Sequence, residues 1–236
     1  MSARLELKYL VDLDTRLALQ RVLRARLVPG EFVGAGGAYP VLSLYYDGES
    51  LPLYLDKLSG IERRVKVRLR TYAWSFAAGA PWFLEAKHKE GAAIAKRRLA
   101  LLPGAIDPLR PASWDDLGPE GAPFLHARES LALEPTVSVW YQREVLVAPA
   151  GDLRVTWDTS IRALFPGEPM TRAQLYDSTR AVLDDSWAVL EIKAQQTVPI
   201  WLGTLVRSAR LVSESVSKYV RAVDTLGLSR KVLSTC

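Results

Sequence analysis

Basic residues recur at every second position in segments that otherwise read as strands. Lys66, Arg68 and Arg70 alternate with Val65, Val67 and Leu69, and Glu85, Lys87 and Lys89 follow at the same spacing. Arg154, Thr156 and Asp158 alternate with Leu153, Val155 and Trp157, and Glu191 and Lys193 alternate with Leu190 and Ile192. Side chains two apart on a strand share a face, so each run sets its charges on one side and its hydrophobes on the other. A solvated sheet face would mix signs and use Ser, Thr and Gln freely. Repeated Arg and Lys with an occasional carboxylate instead suit a surface that holds a polyanion and a metal ion. Arg offers planar two-point bonds to phosphate oxygens, Lys a compact point charge, and carboxylate a ligand for hard divalent cations. Taken singly, each strand fits an ordinary amphipathic strand with its charges in water. Repetition over five strands favours the ligand-holding reading.

The elements that must position these residues follow from the same periodicity. Arg4–Val11 reads as a strand with Glu6 and Lys8 on one face, and Asp12 or Asp14 can cap a helix over Thr15–Leu27, stopped at Pro29-Gly30. Gly34–Ala38 reads as a flexible loop. Four strand-like runs come next: Tyr39–Asp47, Ile61–Tyr72, Pro81–Lys89 and Ile94–Leu102. After Pro103 the composition changes, with an amphipathic helix expected around Phe124, Leu125 and Leu131. Strands resume at Thr136–Val147 and Leu153–Ile161, and Arg180–Asp184 with Trp187–Ala194 reads as a hairpin. Pro199 suits the first turn of a helix through Leu202, Leu205 and Val206, and Val216, Tyr219, Val220 and Val223 mark a second. The pattern predicts an α+β fold, a mainly antiparallel closed β-barrel with flanking N- and C-terminal helices. Apolar faces would pack under the helices and charged faces would line a central tunnel, since closure removes exposed edges. One domain is expected over residues 4–226, with a tail at 227–236.

Composition sets looser bounds. With 49% hydrophobic and 24% charged residues among 236, the chain is an ordinary folding sequence. The net charge of +5 only mildly favours acidic partners. Cys236 is the sole cysteine, so no disulfide or cysteine metal site forms within one chain. There is no apolar signal core and no run of about 20 apolar residues that would span a bilayer. A cytoplasmic location is expected.

Several segments in order resemble one known family: Glu6-Leu-Lys-Tyr9, Ser43-Leu-Tyr-Tyr-Asp47, Arg64–Tyr72, Leu84-Glu-Ala-Lys87 with Lys96 a strand later, Tyr141-Gln-Arg143, Leu153–Asp158, Leu190-Glu-Ile-Lys193, Pro199–Leu202 and Ser217-Lys-Tyr219. The chain looks like a VTC domain, the polyphosphate polymerase branch of the triphosphate tunnel (CYTH-like) metalloenzymes. The resemblance implies an enzyme that transfers the γ-phosphate of ATP to a growing polyphosphate chain in a basic tunnel, with Mn²⁺ or Mg²⁺. It implies catalytic roles for Lys8, Arg68, Arg70, Lys193 and Glu191. Phosphate contacts are implied for Lys66, Lys87, Lys96, Arg143, Arg154 and Lys218. Glu191 is implied as the principal metal ligand, joined by Glu85 or Glu6. Hydrolytic relatives open with Glu-x-Glu-x-Lys, whereas this chain reads Arg4-Leu-Glu6-Leu-Lys8, which lowers the carboxylate count and fits the polymerase branch.

Bland readings stand beside these. Glu191/Lys193 and Glu85/Lys87 also suit cross-strand ion pairs on a wet face. Asp158 is equally suited to a structural pairing with Arg154 or a turn and to metal binding. Lys218 on a helix is ordinarily solvated, His88 faces away from Lys87, and Tyr45, Tyr46, Trp157, Trp187 and Trp201 read as core aromatics. Two other activities compete with the polymerase. One is a metal-dependent triphosphatase acting on inorganic or nucleoside triphosphate. The other is a non-catalytic module that binds polyphosphate. The expected partners are ATP and inorganic polyphosphate or triphosphate. Nucleic acid is disfavoured, because the basic residues are spread over many strands with no aromatic stacking motif.

Overall fold

Caps and alternation set the element boundaries in the structure, a computed structural model that describes residues 5–30, 37–77, 79–91 and 93–230. Arg4, Cys236, much of the loop expected at Gly34–Ala38 and the end of the expected tail lie outside the described residues. The chain order is β1 (Leu5–Asp12), α1 (Leu13–Arg24), β2 (Val28–Pro29), β3 (Tyr39–Asp47), α2 (Pro52–Leu58), β4 (Arg64–Thr71), β5 (Trp82–Glu90) and β6 (Ala93–Leu101). It continues with α3 (Gly118–Leu131), β7 (Glu134–Val147), β8 (Leu153–Leu164), α4 (Arg172–Tyr176), β9 (Trp187–Ala194), α5 (Ile200–Ser208) and α6 (Lys218–Thr225). Asp12 caps α1 by accepting from the Thr15 amide at 2.9 Å, and Pro199 is the N-cap of α5. Among the described residues, no helix is long and apolar enough to cross a membrane.

One helix forms that the sequence does not announce, and one expected strand fails, each for an identifiable reason. The short helix α2 carries no capping side chain of its own. Its first amides are satisfied from upstream, by the Asp47 carboxylate, which accepts from Leu53 and Tyr54 at 2.9 Å each. The strand expected at Arg180–Asp184 is reduced to one bridge, Arg162 with Ala181. Just before it, Asp177 accepts from the Thr179 amide at 2.8 Å and turns the chain into a 3₁₀ segment.

The strands pair in the order β1-β9-β8-β7-β3-β4-β5-β6, with β2 also on β7. This path has two ends, β1 and β6, and corrects the expected closed barrel to an open nine-stranded antiparallel sheet with helices. Period-two alternation reports which face a side chain takes and carries nothing about whether edge strands meet. The sequence of β6 does carry a hint: Lys96, Arg97 and Arg98 put charge on both of its faces, a feature that protects a solvent-facing edge. Most of β6 is exposed.

The chain divides into two compact units. The first comprises Met1–Pro40, Tyr141–Ile161 and Leu183–Ser217; the second comprises Val41–Trp140, Arg162–Val182 and Lys218–Cys236. In the first, Tyr9 and Val11 of β1, Val155 and Trp157 of β8, and Leu190 and Ile192 of β9 pack under Leu19 and Leu23 of α1 and Leu202 and Val206 of α5. In the second, Leu44, Tyr46, Val67, Leu69, Leu84 and Ala86 pack with Trp114 and with Phe124 and Ala127 of α3. Each unit therefore spends one sheet face on a core. The other face of each is the charged one.

Candidate functional site

Strand register assembles the charged face of the first unit row by row. Glu6, Lys193 and Arg154 lie opposite one another across β1, β9 and β8; Lys8, Glu191 and Thr156 form the next row. The Lys193 ammonium sits 2.6 Å from Glu191 Oε1 and 3.8 Å from Glu6 Oε2, and Lys8 reaches Glu6 at 2.8 Å. Burial alone would raise the Glu191 pKa, but Lys193, Lys8 and Arg143 outweigh it and hold the carboxyl at about 2. The Glu6 pKa is lowered as well. Burial and the Glu191 charge push it up, and Lys8 and Lys193 more than offset them.

One row on, Asp158 is wholly buried and grips Arg143 through two bonds, Nε–Oδ1 at 2.6 Å and Nη2–Oδ2 at 2.7 Å. Burial works against the charge on Arg143, yet Asp158, then Tyr141 and Glu191, raise its pKa well above the usual value. Asp158 thus has the structural pairing that its sequence left open, with Arg143 in place of Arg154 as partner. The Thr156 hydroxyl, buried opposite Glu191, has no hydrogen-bond partner among the described residues.

The second unit carries the denser basic face. Ser43, Arg70 and Phe83 form one row; Tyr45, Arg68, Glu85 and Arg98 form a second across β3, β4, β5 and β6; Lys66, Lys87 and Lys96 form a third. Three lysines directly opposite one another repel, and directly opposed like charges weaken a sheet. Glu85 is the one carboxylate among these three rows. Its Oε2 takes two bonds from Arg68, at 2.7 and 2.6 Å, while Lys96 lies 3.1 Å and Arg98 3.6 Å from Oε1. Burial would raise its pKa, but Arg68, Arg70 and Lys96 bring it down to about 2. Arg70 is buried and donates to Ser43 Oγ at 2.9 Å. Arg98 lies on the Phe83 ring, 3.8 Å from its centroid, and donates to Tyr72 at 3.2 Å. Lys218 opens α6, whose next residue, Tyr219, donates to Asp47. Tyr54 donates to Asp224 of the same helix at 2.7 Å, and Lys66 stands 5.9 Å over the Tyr219 ring.

The residues expected from sequence therefore gather on two faces. Lys8, Glu6, Arg143, Arg154, Glu191 and Lys193 lie on the first unit. Lys66, Arg68, Arg70, Glu85, Lys87 and Lys96 lie on the second, and Lys218 starts its helix α6. Sequence reasoning missed Tyr45, Arg98 and Tyr72 as members and placed Thr156 on its face without giving it a role. The same alternation holds the signal: Tyr45 falls two from Ser43, and Arg98 two from Lys96.

A divalent cation fits the first face better than the second. Glu85 stands alone among Arg68, Lys96 and Arg98, although its buried Oε1 has no hydrogen-bond partner among the described residues. Glu191 offers an ionised carboxylate with Glu6 beside it and the orphaned Thr156 hydroxyl opposite. Among the described residues, no group of three or more His, Cys, Asp or Glu forms a cation site. A metal would take most of its ligands from phosphate oxygens and water, as Mg²⁺ commonly does.

The VTC domain family matches residues 3–227 of the chain. No curated protein matches it. Among solved structures, a Bacillus halodurans protein described as a candidate adenylate cyclase is 12% identical, with a TM-score of 0.52 over 91% of this chain and 95% of that one. The PH1819 protein of Pyrococcus horikoshii is 10% identical, with a TM-score of 0.48 over 94% and 98%. At such identity the likeness to the first is one of fold alone.

Proposed function

The chain belongs to the VTC domain family, and from that premise we propose that it is a metal-dependent polyphosphate polymerase. It would transfer the γ-phosphate of ATP to the end of an inorganic polyphosphate chain. The observation that carries this reading is the basic face of the second unit. The lysine row Lys66, Lys87, Lys96 adjoins Arg68, Arg70 and Arg98, and a single buried carboxylate serves that cluster. Such a face is electrostatically strained when empty and is relieved by a chain of anionic phosphates.

Phosphoryl transfer needs alignment and charge neutralisation more than covalent help. Arg68 and Arg70 are held by Glu85 and Ser43, so their guanidinium groups are oriented before substrate arrives. Lys66, Lys87 and Lys96, as point charges, let a chain shift along while it stays bound. The first unit carries its own phosphate-binding candidates, Lys8, Lys193 and Arg154, and there Glu191 with Glu6 and Thr156 would hold Mn²⁺ or Mg²⁺. A divalent cation supplies neutralisation of the charge that develops on the leaving diphosphate. In the transfer, the terminal oxygen of the acceptor chain forms a bond to Pγ, the bond from Pγ to the bridging oxygen breaks, and ADP carries away the electron pair.

Chain extension suits this site better than hydrolysis does. A phosphate acceptor is already ionised at neutral pH, whereas water needs a base. Glu85 and Glu191 are poor bases, because the cations beside them hold their pKa values at about 2. Incubation with ATP and Mn²⁺ followed by gel analysis separates the two, since only a polymerase makes long acid-labile chains. Arg68→Ala is expected to abolish them.

A further inference from the structure

Tyr45 sits in the middle of the second unit's basic face with one half of its hydrogen bonding unfulfilled. Its residue surface is 6% exposed. Its hydroxyl oxygen accepts from Arg68 Nη1 at 3.2 Å, and its ring lies 5.2 Å from that of Tyr219. Among the described residues, nothing accepts the phenolic proton. The surroundings explain why. From β4 it meets Arg68, Arg70 and Lys66, all donors. Glu85 of β5 is turned to Arg68 and Lys96. Tyr219 of α6 spends its own proton on Asp47, whose carboxylate also takes the Gly48, Leu53 and Tyr54 amides. The part of β7 in this unit carries one titratable group, Glu134, at its start. A buried O–H among donors lacks an acceptor, and a ligand on this face can bring one.

We propose that the Tyr45 hydroxyl is a further ligand of the phosphate chain on this face, donating its proton to a phosphate oxygen that Arg68 also contacts. This deepens the polymerase reading and rests on the phosphate binding it assumes. A consequence follows for protons. Burial pushes the phenol up, but Arg68, Arg70 and Lys66 outweigh it and bring its pKa to about 7. On the empty face the phenol therefore gives up its proton near neutral pH, well below its ordinary range. An arriving polyanion reverses the local field, restores the neutral phenol and draws in a proton.

The test is calorimetry of inorganic tripolyphosphate binding to the full chain near pH 7, in buffers of different ionisation heat, for wild type and Tyr45→Phe. The variant keeps the ring against Tyr219 and loses only the hydroxyl. The expected result is binding weakened about tenfold, as for loss of one bond to a charged acceptor. Proton uptake should fall relative to wild type. Unchanged affinity, or weaker binding with unchanged proton uptake, overturns the assignment. Failure of wild type to bind tripolyphosphate overturns both the assignment and the polymerase reading, whereas binding that ignores the substitution overturns only the first. If Tyr45→Phe does not fold, phenolate absorbance of wild type decides. It should rise through about pH 7, and tripolyphosphate should shift that rise upward. The absence of either change overturns the proposal.

Discussion

Neutralising Glu85 isolates the electrostatics of the second face. The carboxylate is 3% exposed and, among the described residues, is the negative charge that Arg68, Lys96 and Arg98 share. Its pKa of about 2, against an ordinary 4.5, corresponds to about 3 kcal/mol of favourable interaction at roughly 1.4 kcal/mol per unit. Glu85→Gln preserves shape and removes that interaction. A chain of this size loses about 2–4 °C per kcal/mol, so thermal unfolding of the ligand-free variant should fall by about 6–12 °C. Tripolyphosphate should restore much of the loss, because bound anion supplies the missing negative charge. At a concentration about 100 times Kd it stabilises by about 2.7 kcal/mol in any case. The increment should therefore be larger in Glu85→Gln than in wild type. A variant that melts within about 2 °C of wild type, or gains no more from tripolyphosphate than wild type does, refutes the reasoning.

Three further outcomes follow from the same geometry. Arg143→Ala leaves the wholly buried Asp158 charge without its two-point partner and should cost about 3–5 kcal/mol in urea unfolding, while Arg143→Ala with Asp158→Ala recovers most of it. Stability should be lost as pH falls from about 4.5 toward about 2, followed by circular dichroism. The Glu85 and Glu191 pKa values are depressed to about 2, so their contribution is full above the unfolded value and vanishes as the folded carboxyls protonate. Glu191→Gln should remove the extra thermal stabilisation that Mn²⁺ adds to tripolyphosphate, and retention of that increment would place the metal elsewhere.

Much of this architecture was legible because alternation is a strong local signal. β3 begins and ends where its hydrophobic pattern does, and the Asp12 cap starts α1 as its side chain requires. The charged faces were legible for the same reason. What alternation could not show was edge closure, since the ends of a sheet path depend on how strands meet and not on which way side chains point. α2 was hidden because its capping carboxylate, Asp47, belongs to the preceding strand. Tyr45 reads as a core aromatic and is buried as one, while its register opposite Arg68 also places it on the basic face. The Arg143–Asp158 pairing depends on the β7–β8 hairpin register, which the turn closed by the Ala148 amide and the Leu153 carbonyl sets.

The most direct measurement is the product formed from ATP and Mn²⁺ by the purified chain, resolved by length, beside Arg68→Ala and Glu191→Ala variants shown to be folded. The account predicts long polyphosphate and ADP from wild type and neither from the variants. Orthophosphate alone from wild type, or chains made equally by either variant, would contradict it.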